Sequence, residues 1–199
     1  MNANVRPFTP PQSEAESFRM AMRSLASGVS VLTHGVGEHR TGLTATSVAS
    51  LSAEPPSLIV CVNRSASLYR QLGSGDLFGV NVLGAEHAEI ADRFAGRSGL
   101  NGAERFREGR WIETSEGVSL LADAIAAFEC ETEEILERHS HAVLIGRVRL
   151  AARRPAGGAL IHWRGAYDQI GWSAEEVSRA IGLSPPPARG SDVILRFSN

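Results

Sequence analysis

Four short segments hold the groups that chemistry would use. Residues 41–52 read Thr-Gly-Leu-Thr-Ala-Thr-Ser-Val-Ala-Ser-Leu-Ser, a run of small and hydroxyl-bearing residues after a β-prone stretch. Small side chains let a ligand approach the backbone, and N–H groups and hydroxyls can then bond ring heteroatoms or phosphate oxygens. An ordinary Thr/Ser-rich strand and loop reads the same way. Asn63, Arg64, Ser65 and Ser67 follow a buried-strand pattern and open a short helix. Free N–H donors, two hydroxyls, an amide and a full charge there suit a phosphate, and plain N-capping by Ser65 or Ser67 suits them equally. His139 and His141 stand two apart at the head of a strand, which puts both imidazoles on one side. Zinc would need a third ligand such as His162, and neither an H-E-x-x-H pattern nor a Cys pair is present. Residues 161–167 combine Trp163, Arg164 and Tyr167 and can wall a planar ligand, or simply pack in the core with Arg164 in water.

Other templates fail. All twenty cationic side chains are Arg, and Lys is absent. That removes Schiff-base chemistry, the P-loop and the kinase strand lysine. No G-x-S-x-G elbow and no G-x-G-x-x-G after a strand occur. Cys61 and Cys130 are too few for a disulfide scaffold and sit among apolar residues, so both are expected as buried core thiols. His34, His39 and His87 lack sequence partners and are expected in solvent.

The chain has 199 residues, enough for one domain. Apolar residues make up 43 % and charged residues 21 %, a soluble globular balance, and the net charge of −2 offers no basic field for nucleic acid. No signal pattern opens the chain and no apolar run is long enough for a membrane span, so a cytoplasmic protein with neither nucleic-acid nor membrane partner is expected.

The elements follow from period and punctuation. Residues 1–12 read as an arm, 13–172 as the domain, and 173–199 as a C-terminal helix and tail. Ser13-x-x-Glu16 is a capping box opening a helix with Phe18, Ala21, Met22 and Leu25 on one face and Gly28 at its end. Strands are expected at 29–34, 39–48, 57–63, 77–83, from Ile125 through Arg138, at 141–151 and at 160–170. Short helices are expected at 67–72 and 86–94. Residues 96–117, rich in Gly, Arg and Glu, read as a long loop of the kind that borders a site or an interface. Strands joined mainly by turns predict an antiparallel sheet.

In this order and spacing the segments resemble the flavin reductase-like family of FMN-binding split barrels, the short-chain reductases that serve two-component flavin monooxygenases. The resemblance runs from about Phe18 to Ile170. It rests on residues 25–33, 42–52, 55–63 with Ser65 and Ser67, 78–83, 91–95, Trp111, His141 with Gly146, Arg147 and Val148, and 164–167. It implies a mainly β fold with flanking helices, a six-stranded antiparallel Greek-key split barrel assembled as a homodimer. It also implies that Thr44, Ala45, Thr46 and Ser47 face the flavin ring. Ser50, Ser52, Asn63, Ser65 and Ser67 would hold the ribityl and phosphate portion of the flavin, with Leu51 and Arg64 also in the cofactor site and Arg164 and Tyr167 near the flavin. His141 matches the histidine of a Gly-Asp-His segment associated with nicotinamide binding, but Ser140 stands for the Asp and His139 for the Gly. The implied activity is reduction of FMN or FAD by NADH or NADPH, with the reduced flavin passed to a separate monooxygenase. Corrinoid or ferric reduction within the same family, and flavin binding without catalysis, are the alternatives.

Overall fold

The structure is a computed structural model that describes residues 13–154 and 157–171, together with the backbone of 193–196. The expected N-terminal arm and C-terminal helix lie outside the described residues.

Two strands of thirteen residues form the spine, β9 (Ala126–Arg138) and β10 (His141–Arg153), joined by a two-residue turn. Alanine, leucine and glutamate make 120–138 look helical in part, yet β9 is paired along its length, to β10 on one side and to β6 (Leu77–Val82) on the other. Tertiary pairing thus overrides local propensity. Beyond β6 lie β2 (Ser30–His34) and then β3 (Thr41–Ala45). Beyond β10 lie β5 (Pro56–Asn63) and then β4 (Val48–Ala53). The hydrogen-bonded path runs β3-β2-β6-β9-β10-β5-β4, all antiparallel, and a further strand β13 (Val193–Arg196) pairs with the far end of β10. The path does not close through hydrogen bonds between β3 and β4, although only Thr46 and Ser47 separate them in sequence. The single strand expected at 39–48 is therefore two strands at opposite ends of one sheet.

A second sheet orders β1 (Ser27–Gly28), β11 (Ala159–Trp163) and β12 (Ala166–Ile170), and a two-stranded ribbon joins β7 (Trp111–Glu113) to β8 (Ser119–Leu121). The strand expected at 160–170 turns back at Arg164–Gly165, both at positive φ. Among the described residues three α-helices accompany the sheets: α1 (Glu14–Met22), α2 (Ser67–Gln71) and α3 (Ala88–Phe94). Helix α1 starts at the expected N-cap, Ser13 Oγ accepting from the Glu16 N–H at 3.2 Å. It ends at Met22, well before Gly28, because Ser27 and Gly28 are taken by pairing with β11. None of its side chains is buried, and Phe18, Met20, Met22 and Leu25 all stand open to water.

The core has two lobes. Leu32, Val60, Val62, Leu68, Phe78, Val80 and Leu144 fill one. Val29, Val31, Leu83, Phe94, Phe106, Leu120 and Leu121 fill the other, where Phe94, Phe106 and Trp111 meet with ring centroids 4.9–5.4 Å apart. Two sequence expectations fail here. Cys61 is exposed because alternation along β5 turns it outward, whereas Cys130 is buried, and burial with the Glu129 charge pushes its thiol pKa up. His87 is buried, its Nδ1 accepting from the Gly84 N–H at 3.0 Å.

Asn81 ties β2 to β8 within the second lobe. It is fully buried, donates to the Val31 carbonyl at 3.0 Å and accepts from the Leu121 N–H at 2.7 Å. Asn81→Ala strands the buried Leu121 N–H and is expected to cost about 1–3 kcal/mol, read as a lower urea midpoint at unchanged slope.

Candidate functional site

The link between β3 and β4 borders a groove along the edge of the sheet. Ser47 Oγ donates to the Cys61 carbonyl at 2.9 Å and accepts from the Cys61 N–H at 3.2 Å, so one hydroxyl ties the link to β5. Strand β3 is held from its other flank. Thr44 Oγ1 donates to the Ala91 carbonyl of α3 at 2.6 Å, and the Gly42 carbonyl accepts from Arg105 Nη1 at 2.9 Å. A Cβ on Gly42 would lie 2.5 Å from the Leu32 oxygen and 2.7 Å from the Phe94 ring, so only glycine lets β3 sit this close. Carbonyls of one strand edge recur every second residue, so with Gly42 facing away from β2 the main chain of Thr44 does too. Its polar groups are left for a ligand.

A groove of about 620 Å³ opens along this edge, within the usual range for a small-molecule site. Thr44, Ala45, Thr46 and Ser47 form one side, and Asn63, Ser65, Ser67 and His141 another. These eight residues were singled out in sequence, and the fold brings them together. Asn63 Oδ1 accepts from the N–H and the hydroxyl of Ser65, both at 2.9 Å, and Ser67 Oγ meets Thr41 Oγ1 at 2.7 Å. Helix α2 is capped at Ala66 without a side-chain bond, so neither Ser65 nor Ser67 is an N-cap.

His141 opens β10 opposite Asn63. His139 occupies the hairpin turn at φ 53°, the left-handed region that Gly favours, and so does not share a strand face with His141. Ser140 Oγ lies 2.9 Å from His141 Nδ1. Among the described residues no three His, Cys, Asp or Glu side chains gather around a metal-sized space.

Six singled-out residues lie outside the groove lining. Ser50, Leu51 and Ser52 are on β4, where Leu51 is the extra residue of a bulge and is exposed, and Ser52 Oγ bonds the main chain of Glu54. Arg64 points to the hairpin tip, pairing with Glu137 at 2.8 Å and donating to the His139 carbonyl at 3.1 Å. Arg164 stacks over Trp163, 4.4 Å from its centroid, and Tyr167 packs beside His162 and Arg97 on the small sheet. Burial and the Asp92 charge push the Tyr167 phenol up. The groove adds Arg70, Phe94, Ala95, Asn101 and Arg105. The long-loop signal of 96–117 pointed toward Asn101 and Arg105, but no motif pointed to Arg70.

The open antiparallel sheet and its groove of hydroxyls, main-chain groups and cations define a small-ligand-binding β protein. The chain belongs to the flavin reductase like domain family, whose model matches residues 22–171. It is similar to the FMN reductase (NADH) RutF of Methylorubrum populi, 37 % identical over 185 residues covering 87 % of this chain and 89 % of that one. Among solved structures it resembles the NADH:FAD oxidoreductase SgcE6 of Streptomyces globisporus, solved with NAD and FAD fragments, at TM-score 0.72 and 29 % identity over 79 % of this chain and 93 % of that one. It also resembles BorF, the flavin reductase component of a bacterial two-component tryptophan halogenase, at TM-score 0.72 and 30 % identity over 79 % of this chain and 98 % of that one.

Tyr69 donates to Glu137, and this hydrogen bond pushes its phenol pKa above the ordinary value. The bond persists below the raised pKa and is lost as pH rises through it. Ultraviolet titration should find both tyrosines ionising above the ordinary range, with Glu137→Gln returning one transition toward it.

Proposed function

We propose that this protein is a flavin reductase that oxidises NADH and reduces FMN for use by a separate oxygenase. The observation that carries this reading is the groove itself, in a chain of this family. Its wall of Thr44, Ala45, Thr46 and Ser47 exposes main-chain groups beside small side chains, and no nucleophile or metal is required. When both partners are bound, hydride passes from the nicotinamide ring to the flavin, and that chemistry belongs to the cofactors. The chain's part is to hold and orient. The main chain at Thr44 and the Thr46 hydroxyl bond the polar edge of the ring, and Asn63, Ser65 and Ser67 bond the sugar chain. His141, turned by Ser140, contacts the nicotinamide.

The path from β3 to β4 with its Thr46–Ser47 link is read as the six-stranded Greek-key split barrel of this family. A homodimer completes the reading. The exposed apolar side chains of α1 border a second groove of about 660 Å³ that also reaches Thr46, Ser47 and His162. A second copy seated there would cover Phe18, Met20 and Met22 and bring its own residues to the flavin edge. The passing of reduced flavin to an oxygenase draws on the similarity to BorF.

Purified protein with excess FMN should consume NADH catalytically. Flavin binding without nicotinamide loss would instead make it a non-catalytic flavin carrier. His141→Ala should lower turnover or nicotinamide affinity about tenfold, roughly the loss of one good contact, while FMN affinity stays unchanged.

A further inference from the structure

The tip of the central hairpin is weakly supported by the sheet itself. On the outer edge of β9, β6 reaches only as far as Glu131, and among the described residues no strand pairs with 133–138. On the outer edge of β10 the ladder to β5 ends at the rung between His141 and Asn63. The turn at His139 and Ser140 lies past that last rung, and His141, which lines the groove, stands at the free end. A hairpin ribbon has little stability of its own, so its tip needs other contacts to hold one place.

Arg64, Glu137 and Tyr69 supply them, and none of the three lines the groove. Arg64 follows β5, and its N–H donates to the Ser140 carbonyl at 3.0 Å. Its Nη1 donates to the His139 carbonyl at 3.1 Å, and its Nη2 meets Glu137 Oε2 at 2.8 Å. Glu137 Oε1 accepts from the Tyr69 hydroxyl. Tyr69 lies on α2 beside the fully buried Leu68, and it packs against the first lobe of the core. A continuous path thus runs from the core through Tyr69, Glu137 and Arg64 to the carbonyls just before His141. The planar fork of arginine lets one side chain bond a carboxylate and a carbonyl together. Arg64 and Glu137 are 43 % and 51 % exposed, and ion pairs so exposed add little to global stability. The effect of the network is local: it fixes where the tip stands.

We infer that Arg64, with Glu137 and Tyr69 behind it, is a positioning residue for His141. The inference rests on the nicotinamide reading of His141 given above and goes beyond it: a clamp outside the groove decides how well the imidazole is presented. Arg64 acts on the hairpin and does not hold the flavin. Hydride transfer needs reacting atoms about 3–3.5 Å apart, and a misplacement of about 1 Å can cost up to about a hundredfold. Slack at the tip is therefore felt in nicotinamide kinetics, and neither in flavin affinity nor in stability.

The test is a double-mutant cycle on the full chain at saturating FMN, with Arg64→Gln and His141→Ala made singly and together. Arg64→Gln should lower kcat/KM for NADH about three- to tenfold, with the melting temperature and the FMN affinity from fluorescence titration unchanged. In the His141→Ala background the same substitution should change kcat/KM by less than about twofold, because it acts through the imidazole. Tyr69→Phe should give a smaller loss of the same sign, and Arg64→Lys should recover only part of the wild-type value. The His141 ring resonance in proton–carbon NMR, assigned by its loss in His141→Ala, reports the tip without turnover. Arg64→Gln should shift or broaden it and leave the buried His87 in place. An equal loss in both backgrounds overturns the positioning role, as does an unchanged kcat/KM in Arg64→Gln. Weaker FMN binding by Arg64→Gln overturns it in favour of a direct flavin contact. If His141→Ala itself leaves NADH kinetics unchanged, the nicotinamide reading falls, and the His141 resonance alone then decides whether Arg64 clamps the tip.

Discussion

Everything in this protein hangs on the pairing of β9 with β10. Two thirteen-residue strands leave about two dozen main-chain polar groups on their outer edges; β6 pairs with 126–131, β5 with 141–147, and β13 with 150–153. Those strands in turn recruit β2 with β3, and β4. The two bulges in the pair bend the ribbon. One leaves Arg149 as an extra residue, which joins Arg147 on Glu131 and holds that carboxyl below the usual carboxylate range. The sheet therefore grows outward from a single hairpin, and its two ends are left to β3 and β4.

That arrangement explains the groove. The chain leaves one end of the sheet after Ala45 and enters the other at Val48, with two residues for the crossing. A two-residue link has no room for a cap, so Ser47 bonds the main chain of Cys61 and stands in for the missing ladder. The seam exposes backbone in a place where side chains are small, with α2 and α3 as walls. The hairpin tip that carries His141 is fastened to the same place by Arg64, whose N–H bonds the Ser140 carbonyl at 3.0 Å and whose guanidinium bonds the His139 carbonyl. Holding the groove and holding the histidine are thus one structural task.

The departures from the family pattern at 139 and 140 have a physical resolution. Histidine tolerates the left-handed turn better than most side chains, and the Ser140 hydroxyl reaches the imidazole that a carboxylate would have reached.

Much was legible in the chain by itself. The capping box at Ser13, the strand periods around 57–63 and 77–83, and the small hydroxyl run at 41–47 all report local physics, because capping, alternation and steric bulk act within a few residues. The resemblance drawn from their order led to the family. Other features depend on distance in sequence and could not be read there. The exposure of Cys61 and the burial of His87 are decided by which neighbours pair. The division of residues 39–48 follows from a sheet whose ends meet without hydrogen bonding. Arg70 and Arg105 belong to no motif, and only the packing of α2 and the 96–117 segment against β3 brings their charges to one end of one groove. Sequence determined which residues have chemistry to offer; tertiary structure decided which of them face the same space, because only long-range pairing sets where a side chain's water is taken away.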